Sequence, residues 1–142
     1  MFGTIGITLY PEDKEAIINN LEKIYAIEFD KNSPLRIACS RFDRSLHDMD
    51  FEDKIIDLCI GFEALYLKGE YGQDKGQSIG LGCSMLLGLN NKERTKIYNN
   101  IKNAFKIRND IIHGKSIKIK NLHIIVSNLE DYLRSSILRL IP

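Results

Sequence analysis

Apolar residues recur at intervals of three and four along most of the chain, the spacing that gathers them on one face of an α-helix. Pro11-Glu12-Asp13 places a proline and acids where a first helical turn accepts them, and Ile17, Ile18, Leu21, Ile24 and Tyr25 follow as a stripe. A helix ending near Phe29 is predicted, preceded by residues 3 to 9, whose weak alternation fits a short extended arm within residues 1 to 10. Ser33-Pro34 supplies an N-cap and a proline at the first helical position, and Leu35, Ala38, Cys39 and Phe42 carry that helix to about His47. Asp48-Met49-Asp50 breaks the pattern.

From Phe51 the residues Ile55, Leu58, Cys59, Phe62, Leu65 and Tyr66 form one wide apolar face, predicted to be the central helix of the core. The glycine-rich stretch from Gly69 to Gly76 closes it, and Ser78 to Leu87 reads as a shorter helix in which Gly80 and Gly82 permit close packing. After Gly88-Leu89-Asn90-Asn91, Lys92 to His113 carries Ile97, Ile101, Ala104, Phe105, Ile107, Ile111 and Ile112, with Gly114 as terminator. Lys115 to Asn121 is a basic, β-branched connector. Leu122, Ile125, Val126, Leu129, Leu133, Ile137 and Leu140 define a last helix. The pattern predicts an all-α, antiparallel helical bundle of five or six helices joined by short polar loops.

Composition refines this only slightly. A chain of 142 residues, 44% hydrophobic and 27% charged, is expected to fold as a single domain over 1–142. The three cysteines, Cys39, Cys59 and Cys83, form no Cys-x-x-Cys pair and sit among apolar neighbours, so they read as reduced, buried thiols of a cytoplasmic protein. Their spacing suits no common ligand pattern, and neither a metal nor another cofactor is implied. No window reaches the ~18 apolar residues of a membrane span, so no membrane partner is expected.

Charge is more informative in its distribution than in its sum of +1. From Glu12 to Glu70 there are 14 acidic and 8 basic residues, a balance of −6; from Lys92 to Lys120 there are 9 basic and 2 acidic, a balance of +7. The positive run, with Lys102, Lys106, Lys115 and Lys118 flanking its centre, suits a polyanion such as RNA, although such runs are also ordinary solvated faces.

The chemistry concentrates at Arg108-Asn109-Asp110-Ile111-Ile112-His113-Gly114. Asn109 and Asp110 lie four and three residues before His113 and share its face. Arg108 is about 140° around the axis from His113, within reach of the same groove through its long side chain. The imidazole stands at the negative end of the helix dipole, on the face that carries Asp110. A histidine there can pass a proton in phosphoryl transfer, and Arg108 can hold phosphate oxygens with forked donors. A blander arrangement has Arg108 paired with Asp110 on a solvated face and His113 merely capping the helix.

Four phrases occur in a telling order: Ala38-Cys39-Ser40-Arg41-Phe42, then Phe62-Glu63-Ala64-Leu65, then Met85-Leu86-Leu87-Gly88, then Phe105-Lys106-Ile107 leading into Arg108-Asn109-Asp110-Ile111-Ile112-His113-Gly114. Over about residues 10 to 120 the sequence thereby resembles the ApeA-like branch of the HEPN superfamily. The resemblance implies a HEPN-type bundle and metal-independent RNA cleavage, with Arg108, Asn109 and His113 at the active site of a homodimer. Glu63 matches the family's recurrent glutamate, which either orients the arginine or serves as a structural ion-pair partner. Phe105 departs from the usual tyrosine and keeps the ring. Lys115 stands where a nucleotide-modified tyrosine occurs in toxins paired with a nucleotidyltransferase antitoxin, which disfavours that regulation. Many members sit behind an N-terminal sensing region, so a sensor domain or an antitoxin is an expected partner, and the chain either acts alone or derives from something longer.

Two functions follow as expectations. One is an endoribonuclease of a defence or toxin system. The other is a non-catalytic HEPN module that binds RNA, a nucleotide or a protein partner. A scaffold dimer with a structural motif is the third possibility.

Overall fold

The computed structural model describes residues 10–26, 33–69 and 74–141. Among these the chain is all-helical, with α1 at Asp13–Ala26, α2 at Pro34–His47, α3 at Phe51–Tyr66, α4 at Lys75–Leu87, α5 at Asn91–Ile112 and α6 at Leu122–Leu140. No described helix is long and apolar enough to cross a membrane. The helices α2 to α6 belong to one compact unit, and α1 belongs to another. The extended arm expected at the N-terminus and the end of the first helix near Phe29 lie outside the described residues.

Local signals set the helix ends. Ser33 caps α2 by accepting from the Arg36 amide at 3.3 Å, Asp50 caps α3 from the Glu52 amide at 2.9 Å, and Asn90 caps α5 from the Glu93 amide at 2.9 Å. The fourth helix starts earlier than its apolar stripe predicts, at Lys75 instead of Ser78. Asp74 is the reason: its carboxylate accepts the Gln77 amide at 3.2 Å, which draws Lys75 and Gly76 into the first turn.

The connectors Asp48–Asp50 and Gly88–Asn90 are so short that α2 folds back along α3 and α4 along α5. The helix α3 touches α2, α4, α5 and α6, in keeping with the central place its wide apolar face predicts. Ala38, Leu58, Phe62, Ile79, Ile101, Leu129 and Leu133 meet in a core that excludes solvent entirely. Cys59 and Cys83 are buried free thiols there and Cys39 is half-buried; burial pushes all three thiols up, away from the reactive thiolate. The buried hydroxyl of Ser136 is matched: it donates to the Tyr132 carbonyl at 2.7 Å and accepts from the Tyr66 hydroxyl at 2.6 Å.

The corner between α2 and α3 holds a buried charge. Asp57 accepts from Arg41 Nη1 at 2.7 Å, with Arg44 Nε at 3.7 Å. Asp48 adds a second carboxyl here, and its Oδ2 is buried without a hydrogen-bond partner. The hydrogen bond that protonated Asp48 makes to Asp57, with burial and the Asp57 charge, holds the Asp48 carboxyl above its usual range. The folded state therefore binds this proton more tightly than the unfolded chain, so its contribution is present at acid pH and is lost as pH rises through the raised folded value. Asp48→Asn, which keeps the shape and removes the like charge, is expected to raise the melting temperature at pH 7 and to change it much less at pH 4. Thermal unfolding at the two pH values checks this, and an equal shift at both would contradict it.

Candidate active site at the end of the fifth helix

The end of α5 is built by its own sequence. Gly114 adopts φ +72°, its amide donates to the Ile111 carbonyl at 3.0 Å, and the Lys115 amide donates to the Asp110 carbonyl at 2.9 Å. This pair of bonds is a Schellman ending, which needs a left-handed residue just past the cap. His113 is the cap residue, its amide donating to the Asn109 carbonyl at 3.0 Å and its side chain exposed. No atom would crowd a Cβ at Gly114, so the cost of a side chain there is conformational alone. Gly114→Ala is expected to lower stability by about 1–2 kcal/mol, with Gly114→Asn closer to the parent, as measured by urea unfolding.

An open cleft of about 900 Å³ runs along α5 to this ending. Arg108, Asn109, Asp110 and His113 all line it, as do Lys102, Lys106 and Lys115. Lys118 does not; it lies exposed on the connector beyond. Glu63 reaches the site from α3, its Oε1 3.4 Å from Arg108 Nη2. Arg108 also donates from Nη1 to Asn109 Oδ1 at 3.2 Å. The partner of Asp110 is Lys115, whose Nζ donates to Oδ1 at 2.9 Å. The pairing of Arg108 with Asp110 that spacing allows is thus not the one adopted, because Lys115 is turned back over Asp110 by the helix ending itself.

Arg108 is mostly buried, its side chain 20% exposed, and Glu63 is similar at 21%. Their contact is long for a charge-assisted hydrogen bond, and Arg108 Nε and Glu63 Oε1 are buried with no hydrogen-bond partner. The carboxylate therefore anchors the guanidinium by charge, and each Nη group, one facing Asn109 and one facing Glu63, carries a second N–H for another acceptor. A planar cation held in this way, beside lysines on a concave face, can take a phosphate with two parallel N–H donors.

No family model matches the chain, and no curated protein or solved structure does so either. Among the described residues no cluster of histidine, cysteine and carboxylate side chains is arranged to hold a metal ion.

The other two histidines stand elsewhere. His47 donates from Nδ1 to the Asp43 carbonyl at 2.8 Å near the end of α2, and the His123 ring lies 6.4 Å from that of Phe51 at the start of α6. His113 is thus the single histidine lining the cleft. The geometry also adds residues that sequence reasoning did not single out. Asn99 and Asn103 continue the stripe of Lys106, Asn109 and His113 along one face of α5, at a spacing legible in the sequence. Lys75 and Gly76 come from the start of α4, and only the fold brings them there.

Proposed function

We propose that the chain is a HEPN-type, metal-independent endoribonuclease that acts in the cytoplasm as part of a defence or toxin system. The observation that carries this reading is the convergence of Arg108, Asn109 and His113 with Lys102, Lys106 and Lys115 on one open cleft. The lysines supply the field that gathers a phosphodiester backbone. Arg108, anchored by Glu63, holds the scissile phosphate and stabilises the charge that grows on its oxygens. The 2′-hydroxyl attacks the adjacent phosphorus, the 5′-oxygen leaves, and the products are a 2′,3′-cyclic phosphate and a 5′-hydroxyl. His113 takes the proton from the nucleophile or gives one to the leaving oxygen. Asn109 helps align the phosphate through its amide.

One cleft offers one histidine for two proton transfers, so a two-fold homodimer that brings two α5 ends together supplies the pair. Light scattering at micromolar concentration is expected to give twice the chain mass. A monomer that cleaves RNA fully at that concentration would contradict the composite site and leave the cleft's role intact.

The reading is tested by incubating the purified protein with mixed RNA, with and without a chelator. Cleavage that survives chelation is expected; an inert native protein would contradict it. The single histidine also favours a second reading, a non-catalytic module that docks RNA, a nucleotide or a protein partner on the same basic face. That reading gains if the native protein and its Arg108→Ala and His113→Ala forms bind RNA alike and none cleaves.

A further inference from the structure

Glu63 serves two cations at once. Arg108 Nη2 lies 3.4 Å from Oε1, and Lys75 Nζ lies 3.4 Å from Oε2. One negative charge thus stands between two positive ones, and the cleft wall carries an excess positive charge at this point. The two cations differ in depth: the Arg108 side chain is 20% exposed and that of Lys75 is 47% exposed. Arg108 is fixed at its buried end, where its Nε and Glu63 Oε1 both lack hydrogen-bond partners, so moving it off the carboxylate would strand a buried charge. Lys75 has no such constraint. An exposed lysine–carboxylate contact of this length contributes little and is readily exchanged for another anion.

The fold brings Lys75 here through its neighbours. Asp74 caps α4 through Oδ1, and the Lys75 ammonium pairs with Glu63. Gly76 lies against Phe105 so closely that a Cβ would sit 2.9 Å from the Phe105 Cβ. A glycine at this position lets the first turn of α4 touch α5 and sets Lys75 on the rim of the cleft that Arg108 and His113 line.

Resting on the reading of the cleft as an RNA site, we propose that Lys75 is a second phosphate-binding cation, which leaves Glu63 for the RNA backbone while Arg108 stays on the same carboxylate. Glu63 in the free protein is then a placeholder for a phosphate on the Lys75 side and a permanent anchor on the Arg108 side. The exchange makes and breaks only ionic contacts.

The test measures binding of a 2′-O-methyl RNA oligonucleotide, which lacks the attacking hydroxyl, by fluorescence anisotropy across a salt series, for the native protein, Lys75→Ala and Lys75→Arg. Each phosphate contact on a single strand contributes about 0.7 to the slope of log affinity against log salt, so Lys75→Ala is expected to flatten the slope by about that amount and Lys75→Arg to restore it. On cleavable RNA, Lys75→Ala is expected to raise KM several-fold with kcat nearly unchanged, and the melting temperature should stay at the parent's. An unchanged slope in Lys75→Ala, while the native protein binds RNA with clear salt dependence, overturns this inference and leaves the ribonuclease reading standing. A fall in kcat at constant KM also overturns it, because Lys75 would then act by positioning Arg108. A native protein that binds no RNA overturns the reading of the cleft and this inference with it.

Discussion

His113→Ala is expected to lower RNA cleavage by about 10²–10⁴-fold, the range that a positioned acid or base contributes, while leaving the fold intact. The side chain is exposed at the helix cap, and the backbone bonds of the ending are made by the amides of His113, Gly114 and Lys115, so alanine removes the imidazole without disturbing them. A melting temperature within a degree or two of the parent's is the control. Arg108→Ala should lose activity to a comparable degree, with a stability loss as well, because it leaves the mostly buried Glu63 with only its long contact to the more exposed Lys75. Arg108→Lys should recover only part of the activity, since an ammonium cannot present two parallel donors to a phosphate. Single-turnover cleavage of one RNA by the three variants checks the order. If His113→Ala cleaves as the native protein does, the imidazole has no part in the chemistry.

The largest expected effect on stability lies one residue from the site. Phe62 is wholly buried on α3, its ring 6.4 Å from that of Tyr66, and Glu63 follows it on the same helix. Phe62→Ala empties a ring-sized volume at the centre of the core, where α3 meets four other helices, and is expected to cost about 3–5 kcal/mol. Phe62→Leu, which refills most of that volume, should lose much less. Urea unfolding should show the alanine variant's midpoint falling with little change in slope. A loss under 1 kcal/mol would mean that the packing around α3 is not what fixes Glu63 and hence Arg108.

The fold was legible because its determinants are local. Caps at Ser33, Asp50 and Asn90 and the glycine at 114 mark helix ends within a residue or so, and the apolar stripes of α3, α5 and α6 name most of the core. The start of α4 was not, because a glycine-rich segment looks like loop until Asp74 is seen capping it. The placement of Arg108, Asn109, Asp110 and His113 around one cleft was legible for the same reason, since all four belong to one helix end. The pairings were harder. Which acid meets Arg108 depends on α3 lying beside α5 and on the Schellman ending that turns Lys115 onto Asp110. Lys75 depends on α4 and α5 touching at Gly76, a contact between segments about thirty positions apart that no periodicity encodes. The run of nine basic residues divides in space: Lys102, Lys106, Arg108 and Lys115 face the cleft, whereas Arg94 donates from Nε to the Gly88 carbonyl at 3.1 Å and Lys118 lies beyond.

The most direct test of the cleft as a metal-independent ribonuclease site is end-group analysis of the products formed from one defined RNA in the presence of a chelator, beside the same RNA carrying a single 2′-deoxy nucleotide at the cleaved position. The expected products carry 2′,3′-cyclic phosphate and 5′-hydroxyl ends, with no cut at the deoxy position. Products with 3′-hydroxyl and 5′-phosphate ends, cutting that continues at the deoxy position, or cutting that stops with the chelator would contradict that role.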